Sequence, residues 1–339
     1  MVTKRAVQEG MEMLNAQGNA LEQDLCYWLL YRMLGILRIS LLLNKTRILR
    51  VLANTYIFKN GLKNRNRSPL RKYAYLACGL SFLFPLTMIT GIISFAVLNI
   101  DKCLPSLKVI NQNASDKKIQ YVLFMTGHAV LYMNHFLLFP GLVMVLLSFM
   151  YLSFVKTFRR HLDEMRCRLL EKLSNKEICR ALVVFMIAKK IHRDIEKAVS
   201  FISFLVYVLI FGRIMQAVSA IISNYMPGDA SMQIMHSYFI LTSTVMWFVL
   251  LTMCGAQTKK IETFIKNMNQ EVMTKYFIML EEGNSDLENM NLLNSCSDIE
   301  LRFTGWGMFV VDKKLFLTIS GVLVTYGVLF ATEVPKIAE

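Results

Sequence analysis

Charged residues are scarce in this chain of 339 residues, of which they make up 18 %, against about a quarter in soluble domains. The seven cysteines include no pair at C-x-x-C spacing, and this absence excludes a disulfide framework and an obvious zinc site. Residues 1–24 are too polar to hold the apolar core of a signal peptide. Apolar residues make up 55 % of the chain, and they decide its class.

The apolar residues are concentrated in segments long enough to cross a bilayer, which takes about 20 residues of helix. Five segments contain at most one charged residue each: 73–99, 120–155, 198–224, 233–256 and 315–334. A sixth, 25–43, contains Arg32 and Arg38, so it either crosses or lies in the interface as an amphipathic helix. The sequence predicts an all-α, multi-pass transmembrane helical bundle with six recognisable spans.

The formal charge of +14 is explained by basic residues that gather in cytoplasmic loops and set the orientation in the membrane. We therefore expect no nucleic acid partner. Segments 44–72, 156–197 and 257–314 hold 28 of the 38 lysines and arginines. Because basic loops stay in the cytoplasm, these three segments are predicted to be cytoplasmic and the C-terminus extracellular. The sequon at Asn113 lies in an outward segment, which makes it a candidate glycosylation site.

The cytoplasmic segments are themselves predicted to be helical. Apolar residues recur every three to five positions in 156–197 and in 258–280, and no proline or glycine interrupts 156–200. These extensions would pack on each other or on those of another subunit, whereas polar 281–298 is predicted to be a mobile loop. The predicted organisation is a polar N-terminal segment, a transmembrane bundle, a cytoplasmic helical region, and a last helix with an extracellular C-terminus: 1–24, 25–256, 257–314 and 315–339.

The C-terminal part of the chain carries a recognisable pattern. Phe303, Gly307, Phe309 and Asp312 precede the last apolar segment, and Thr325-Tyr326 lies within it. This arrangement resembles the signature of the gustatory receptor family of insect chemoreceptors. The sequence departs from that signature where Thr332-Glu333 replaces Gln-Phe, and the family has seven spans where six are recognisable here.

The resemblance implies a gustatory receptor, a subunit of a ligand-gated non-selective cation channel in the plasma membrane of sensory neurons. It implies a homo- or hetero-tetramer with other gustatory receptors, opened by a small tastant. In such a channel the bundle 25–256 holds the ligand pocket, the cytoplasmic region 257–314 anchors the subunits together, and the last helix in 315–339 lines the pore. It implies neither an enzyme nor a cofactor, and the residues form no catalytic or metal-ligating cluster. A G-protein-coupled-type chemosensory receptor and a secondary transporter are the alternatives.

The last helix supplies the candidate pore residues. Val324, Val328 and Leu329 are available for a hydrophobic constriction. Thr332 occupies the position of the family's pore-facing glutamine. Glu333 would form a carboxylate ring in a tetramer, or is an ordinary solvated charge. Asp312 either caps the helix or takes part in gating, and Tyr326 either bonds across subunits or packs.

Polar and aromatic residues inside the spans are the candidates for ligand binding, because such groups usually face protein or water. Each could instead serve only in helix–helix hydrogen bonding. Arg213 differs because a mid-span cation needs a partner, either a ligand oxygen or a structural acceptor. The candidates are His128, Tyr132, Asn134, His135, Arg213, Gln216, His236, Thr242, Ser243 and Trp247.

Overall fold

The computed structural model describes residues 2–61, 70–98, 114–172, 174–223, 231–281 and 300–338. These residues form seven α-helices, one π-helix and a short β-hairpin, and the all-α fold class is confirmed. The elements are α1 (Val2–Asn60), α2 (Leu70–Leu98), α3 (Ala114–Met133), the π-helix (Asn134–Leu138), α4 (Phe139–Glu171), α5 (Asn175–Ser223), α6 (Ser231–Glu281), β1 (Thr304–Gly305), β2 (Phe309–Val310) and α7 (Lys313–Ala338).

Three helices are far longer than a bilayer is thick. The helices α1, α5 and α6 have 59, 49 and 51 residues, and the shortest of them extends about 74 Å at 1.5 Å per residue. The hydrocarbon core is about 30 Å thick. The helical continuation of 120–155 to Glu171, the return helix before 198 and the helix over 258–280 are confirmed.

Four helical segments among the described residues are long and apolar enough to cross a membrane. They are Tyr75–Ser94, Val122–Glu171, Asn175–Ile221 and Ser237–Ile278, and they contain most of the predicted spans 73–99, 120–155, 198–224 and 233–256. The remaining predicted spans, 25–43 and 315–334, lie within α1 and α7. That these two cross the membrane stays a prediction.

The two arginines in 25–43 both contact aromatic rings. The Arg38 guanidinium lies 4.7 Å from the centroid of the Phe139 ring, and Nη2 donates to His135 Nδ1 at 2.8 Å. Arg32 lies 4.7 Å from the Trp28 ring one turn earlier on α1. Apolar side chains such as Ile39 are exposed on the rest of this segment. Arg38 is half-buried against protein, as expected for an arginine inside an apolar segment, whereas Arg32 is exposed and contacts an aromatic ring of its own helix.

Helix α5 is central to the bundle, since it packs against α1, α4, α6, β1 and α7. Its buried residues join those of α4 and α6 in one hydrophobic core that extends into the charged part of the helices. Tyr151, Phe154, Phe158, Phe185 and Phe303 are among the largest fully buried side chains. The helices therefore stay packed together beyond the predicted spans.

Several predicted features lie outside the described residues. These are Asn113, which carries the candidate sequon, and nearly all of the predicted loop 281–298. His236, Thr332 and Glu333 lie within helices, but only their backbone is described.

Candidate functional site

A π-helix interrupts the long helix formed by α3 and α4. It spans Asn134–Leu138 and contains two of the predicted ligand-binding residues, Asn134 and His135. Pro140 follows at the start of α4, and proline can neither donate a backbone hydrogen bond nor avoid the carbonyl four residues earlier. The widened turn therefore has a local cause, and π-turns of this kind are frequent at functional sites.

A small cavity lies beside this π-helix, between α4, α5 and α6. Its volume is about 20 Å³, room for a single water molecule. Three of the predicted ligand-binding residues, Arg213, Ser243 and Trp247, line it. The other lining residues are mostly apolar: Phe136, Leu137, Pro140, Gly141, Met144, Leu209, Ile210 and Thr244.

Arg213 supplies the only charged side chain of this cavity's lining. It is 6 % exposed, and its guanidinium lies 5.0 Å from the centroid of the Phe136 ring. A cation over an aromatic face is stabilised by the ring quadrupole. The arrangement places a planar set of N–H donors at a mostly apolar cavity, a suitable position for recognising an oxygen atom.

Trp247 and Ser243 lie one turn apart on α6, and both are buried. The indole of Trp247 packs on Gly141, where an added Cβ atom would lie 3.5 Å from indole Nε1. The Ser243 hydroxyl donates to the Ile240 carbonyl at 3.0 Å, on its own helix. Gly141 and Trp247 therefore line the cavity in contact with each other.

An aromatic row along α3 and the π-helix leads to the cavity. Phe124, His128, Tyr132 and Phe136 are spaced four residues apart, and consecutive ring centroids lie 6.3, 6.4 and 4.7 Å from each other. Phe136, the last of them, lines the cavity. His128 is exposed and Tyr132 is half-buried, so the row runs from the surface inwards.

The remaining candidates are distributed around the cavity. His135 accepts a hydrogen bond from Arg38 through Nδ1, so its proton is on Nε2, and its ring stacks on Tyr31 at 5.1 Å. Asn134 and Thr242 are exposed, and Thr242 donates to the Tyr238 carbonyl of its own helix. Gln216 is half-buried on α5, outside the cavity lining.

The candidate pore helix α7 has one packed face and one exposed face. Phe316 stacks on Phe248 of α6 at 5.5 Å, and Gly327 lies against Val218 of α5. Val324, Val328 and Leu329 are exposed. Thr325 donates to the Gly321 carbonyl, and Tyr326 is half-buried on the packed side.

The family-like motif before α7 forms a β-hairpin. Thr304 pairs with Val310 and Gly305 with Phe309 in antiparallel register. Trp306 and Gly307 have φ values of 51° and 72° in the turn, a backbone that glycine adopts without strain. Phe309 packs edge-on against Tyr207 of α5 at 5.2 Å.

Phe303, the first residue of the motif, anchors the hairpin in the core. Its side chain is fully buried and stacks on Tyr151 of α4 with ring centroids 3.9 Å apart. His192 of α5 lies 5.3 Å from the same ring. Burying a phenylalanine contributes about 1.5–3 kcal/mol, so this residue fixes the chain just before the hairpin.

Two carboxylates that the sequence analysis did not single out hold the hairpin by its backbone. Glu196 of α5 accepts hydrogen bonds from the Thr304 amide at 3.0 Å and the Thr304 hydroxyl at 2.6 Å. Glu262 of α6 accepts from the Leu301 amide at 3.0 Å. The Ser200 carbonyl of α5 also accepts from the Trp306 amide at 3.0 Å. Helices α5 and α6 therefore both bind the segment that precedes α7 through hydrogen bonds.

Asp312 connects the hairpin to α7 and to α6. It caps α7 through the Leu315 amide at 3.0 Å, and it pairs with Lys259 of α6. Burial alone would raise the pKa of Asp312, but the hydrogen bond and charge of Lys259 and the amides of Leu315 and Lys314 together lower it below its ordinary value. The carboxylate is thus ionised at neutral pH and serves both contacts.

Gly255 provides the close approach that these contacts need. A Cβ atom at this position of α6 would lie 2.4 Å from Val311 Cγ1 and 2.7 Å from the Val311 carbonyl oxygen. Only glycine admits the hairpin at this distance. A glycine near the end of the predicted span 233–256 was the sequence signal for this contact, and the sequence analysis did not use it.

The fold is similar to that of the olfactory receptor OR5 of the insect Machilis hrabei. One structure of that receptor matches with a TM-score of 0.58 over 88 % of this chain and 78 % of that chain, at 11 % identity. The structure of the same receptor in complex with eugenol matches with a TM-score of 0.55 over 91 % and 79 %, at 12 % identity. No protein-family model and no curated protein matches the sequence. At these identities the likeness establishes the fold.

Proposed function

We propose that this chain is a chemosensory receptor of the gustatory type, a subunit of a cation channel opened by a small tastant. One observation carries the proposal: the helices that line the small cavity also grip the hairpin before the candidate pore helix. Helix α5 bears Arg213 and Glu196, and α6 bears Trp247 and Lys259. A ligand that separates α5 from α6 therefore acts on the contacts that hold α7.

The ligand in this proposal is a small, largely apolar molecule with one hydrogen-bond acceptor. The apolar lining suits its body, and the Arg213 guanidinium suits its oxygen. Since the cavity holds only about 20 Å³, the ligand must widen it by moving Trp247 or Phe136. That a receptor with this fold has been solved in complex with eugenol supports a small-molecule ligand.

The pore in this proposal is formed by α7 from four subunits, homomeric or mixed with other gustatory receptors. Val324 and Val328 lie one turn apart on the exposed face and would form the hydrophobic constriction, with Leu329 beside them. Thr332 and Glu333 follow towards the outer end of the helix, where four carboxylates would favour cations. The resemblance of the motif from Phe303 to Tyr326 supports the gustatory type.

Gating in this proposal passes through the hairpin. Movement of α5 shifts Glu196 and Ser200, which hold Thr304 and Trp306, and movement of α6 shifts Lys259, which holds Asp312. Because Asp312 also caps α7, the first turn of that helix follows. A tilt of α7 at this end would open or close the constriction near Val324.

The deciding experiment is expression in a naive cell with fast application of candidate tastants. The proposal expects cation currents within milliseconds that persist in excised patches without cytosolic messengers. Slow currents that need GTP would favour a G-protein-coupled-type receptor, and uptake without channel currents would favour a transporter. Either result overturns the proposal.

The proposed location is the plasma membrane, with the C-terminus outside the cell. An epitope tag after Glu339 should be accessible in unpermeabilised cells. A glycosidase-sensitive mass shift that disappears in Asn113→Gln would assign segment 100–119 to the same side. A tag reached only after permeabilisation would reverse the predicted orientation.

A further inference from the structure

A second and larger cavity lies at the other end of the bundle, among the charged parts of the helices. Its volume is about 490 Å³, within the range of about 300–1,000 Å³ usual for small-molecule sites. It is open to solvent and is lined by Gly61 just after α1, by the last turns of α4 and by the first turns of α5. Its lining is rich in charged side chains, unlike the cavity at Arg213.

Three cations line this cavity: Arg168 of α4 and Lys176 and Arg180 of α5. Two carboxylates also line it, and each contacts an arginine of its own helix. Arg168 Nη2 donates to Glu164 at 3.3 Å, and Arg180 Nη1 pairs with Glu177. Lys176 forms no ion pair within the part of the chain that the structure describes. Three cations against two carboxylates leave a net positive charge.

The arginines retain donors for a ligand. A guanidinium has five N–H groups, and the contacts with Glu164 and Glu177 each use a single nitrogen. The side chains of Arg168 and Arg180 are 40 % and 53 % exposed, so their outer edges are accessible. Paired N–H groups of this geometry match the oxygen atoms of a phosphate group.

His161 fixes one wall of the cavity. Its Nε2 donates to the Phe58 carbonyl of α1 at 2.8 Å, and its ring stacks on the Phe58 ring at 4.1 Å. This contact holds the end of α1 against α4 at the cavity. The wall formed by His161 therefore exists before any ligand binds.

The position along the helices separates this cavity from the lipid headgroups. Arg168 lies 13 residues beyond residue 155, where the predicted span ends, and Arg180 lies 18 residues before residue 198. These separations correspond to about 20 Å and 27 Å of helix, whereas a headgroup layer is only about 5–8 Å deep. A ligand in this cavity comes from solution.

We infer that this cavity binds a soluble polyphosphate, with Arg168 and Arg180 holding its phosphate groups and Lys176 adding charge. The ligand class is a small molecule with at least two adjacent phosphate groups, such as a nucleoside triphosphate. Its access from the cytoplasm rests on the orientation in the proposed function. The binding itself does not depend on that function.

The test uses the full chain in phosphatidylcholine nanodiscs, with ATP and inorganic pyrophosphate as probes. Cys179 lines the cavity and Cys167 does not, although both thiols are exposed. We expect saturating ATP to slow maleimide labelling of Cys179 at least fivefold while labelling of Cys167 is unchanged. Mass spectrometry of the two cysteine-containing peptides gives both labelling rates from the same sample.

Variants then assign the binding to the arginines. The double variant R168Q/R180Q should weaken ATP binding at least tenfold, whereas K189Q/K190Q should leave it unchanged. The control pair removes the same charge from exposed positions of α5 outside the cavity. If the arginine variant does not fold, the labelling experiment on the unmodified chain still decides.

Three results would overturn the inference. They are equal labelling rates with and without millimolar ATP, equal slowing at both cysteines, and binding to nanodiscs that contain a phosphoinositide without binding to ATP. The last result would assign the site to a lipid headgroup. None of these measurements needs a current, so a failure of the proposed channel function stays distinguishable from a failure here.

Discussion

The cavity at Arg213 and the hairpin before α7 share two helices but are built in different ways. Around the cavity, the contacts between helices are apolar and aromatic, as between Trp247 and Gly141. The hairpin is held by directed hydrogen bonds, of which Glu196 alone accepts two. Apolar contacts tolerate small shifts in distance, whereas hydrogen bonds weaken steeply when distorted. In the proposed function, the first region changes shape when a ligand binds, and the second region transmits that change to α7.

The largest effect is expected where the hairpin enters the core. Phe303→Ala removes a fully buried ring that stacks on Tyr151, and truncations of this kind cost about 3–5 kcal/mol of unfolding free energy. We expect a large fall in the thermal midpoint of the purified chain. The midpoint is measured by size-exclusion chromatography with fluorescence detection after heating. Met308→Ala, at an exposed position of the turn, is the matched control and should change the midpoint little. Equal midpoints for the two variants would contradict the hairpin's anchoring.

The next effect should separate coupling from ligand binding. Glu196→Gln keeps the side-chain shape but removes the charge that accepts from Thr304, and hydrogen bonds to charged groups contribute about 1.5–3 kcal/mol. In the proposed channel, we expect the maximal current to fall by about tenfold or more, since 1.4 kcal/mol corresponds to tenfold. The tastant concentration for half-maximal response should stay nearly the same.

The control for Glu196 is Glu300→Gln, which changes an exposed carboxylate in the same segment. This variant should leave both quantities unchanged, as measured by whole-cell recording with surface labelling to correct for expression. A shift in the half-maximal concentration without a loss of maximal current in Glu196→Gln would place this residue with the ligand and not with the hairpin.

A smaller effect is expected in the cavity itself. Gly141→Ala adds a methyl group 3.5 Å from the Trp247 indole, an ordinary contact distance that leaves the fold intact. One added carbon in an apolar pocket changes discrimination by about tenfold or more. We therefore expect a shift of about tenfold in the half-maximal tastant concentration at an unchanged maximal current.

Gly127→Ala is the control for Gly141, because it makes the same exchange on α3 where no other atom lies within 4 Å. Both exchanges alter intrinsic helix propensity equally, so that term cancels in the comparison. If the two variants have the same tastant response, the ligand does not occupy the space at Gly141.

The long helices and the hairpin differ in how far the sequence could predict them. The long helices follow from apolar runs and from spacing in 156–197, signals that extend over many residues. The hairpin has strands of two residues, too short for any alternation to be visible. Glu196 resembles a solvated charge on a helix, because its partner Thr304 lies 108 residues further along the chain.

The cavity shows the same limit. Arg213, Ser243 and Trp247 were predicted as buried groups in spans, and they line one cavity because α5 and α6 pack at that depth. Gln216 and Thr242 were chosen by the same rule and lie outside the lining. A single sequence gives the face of a helix, but the partner of that face depends on rotation and packing of the whole bundle.

The smallest effect is expected at the far end of α7. Glu333→Gln removes the proposed ring of four carboxylates, and solvated charges contribute about 0–1 kcal/mol, which corresponds to no more than about fivefold. We expect the permeability of sodium relative to chloride to fall by about twofold, measured from reversal potentials in dilution experiments. Glu339→Gln, six residues later in the sequence, is the control and should leave the ratio unchanged. The effect should shrink at high ionic strength, where charges are screened within about 3 Å at 1 M. An unchanged ratio in Glu333→Gln at low salt would leave Glu333 as an ordinary solvated charge, and cation selectivity would then have to come from another part of the subunit.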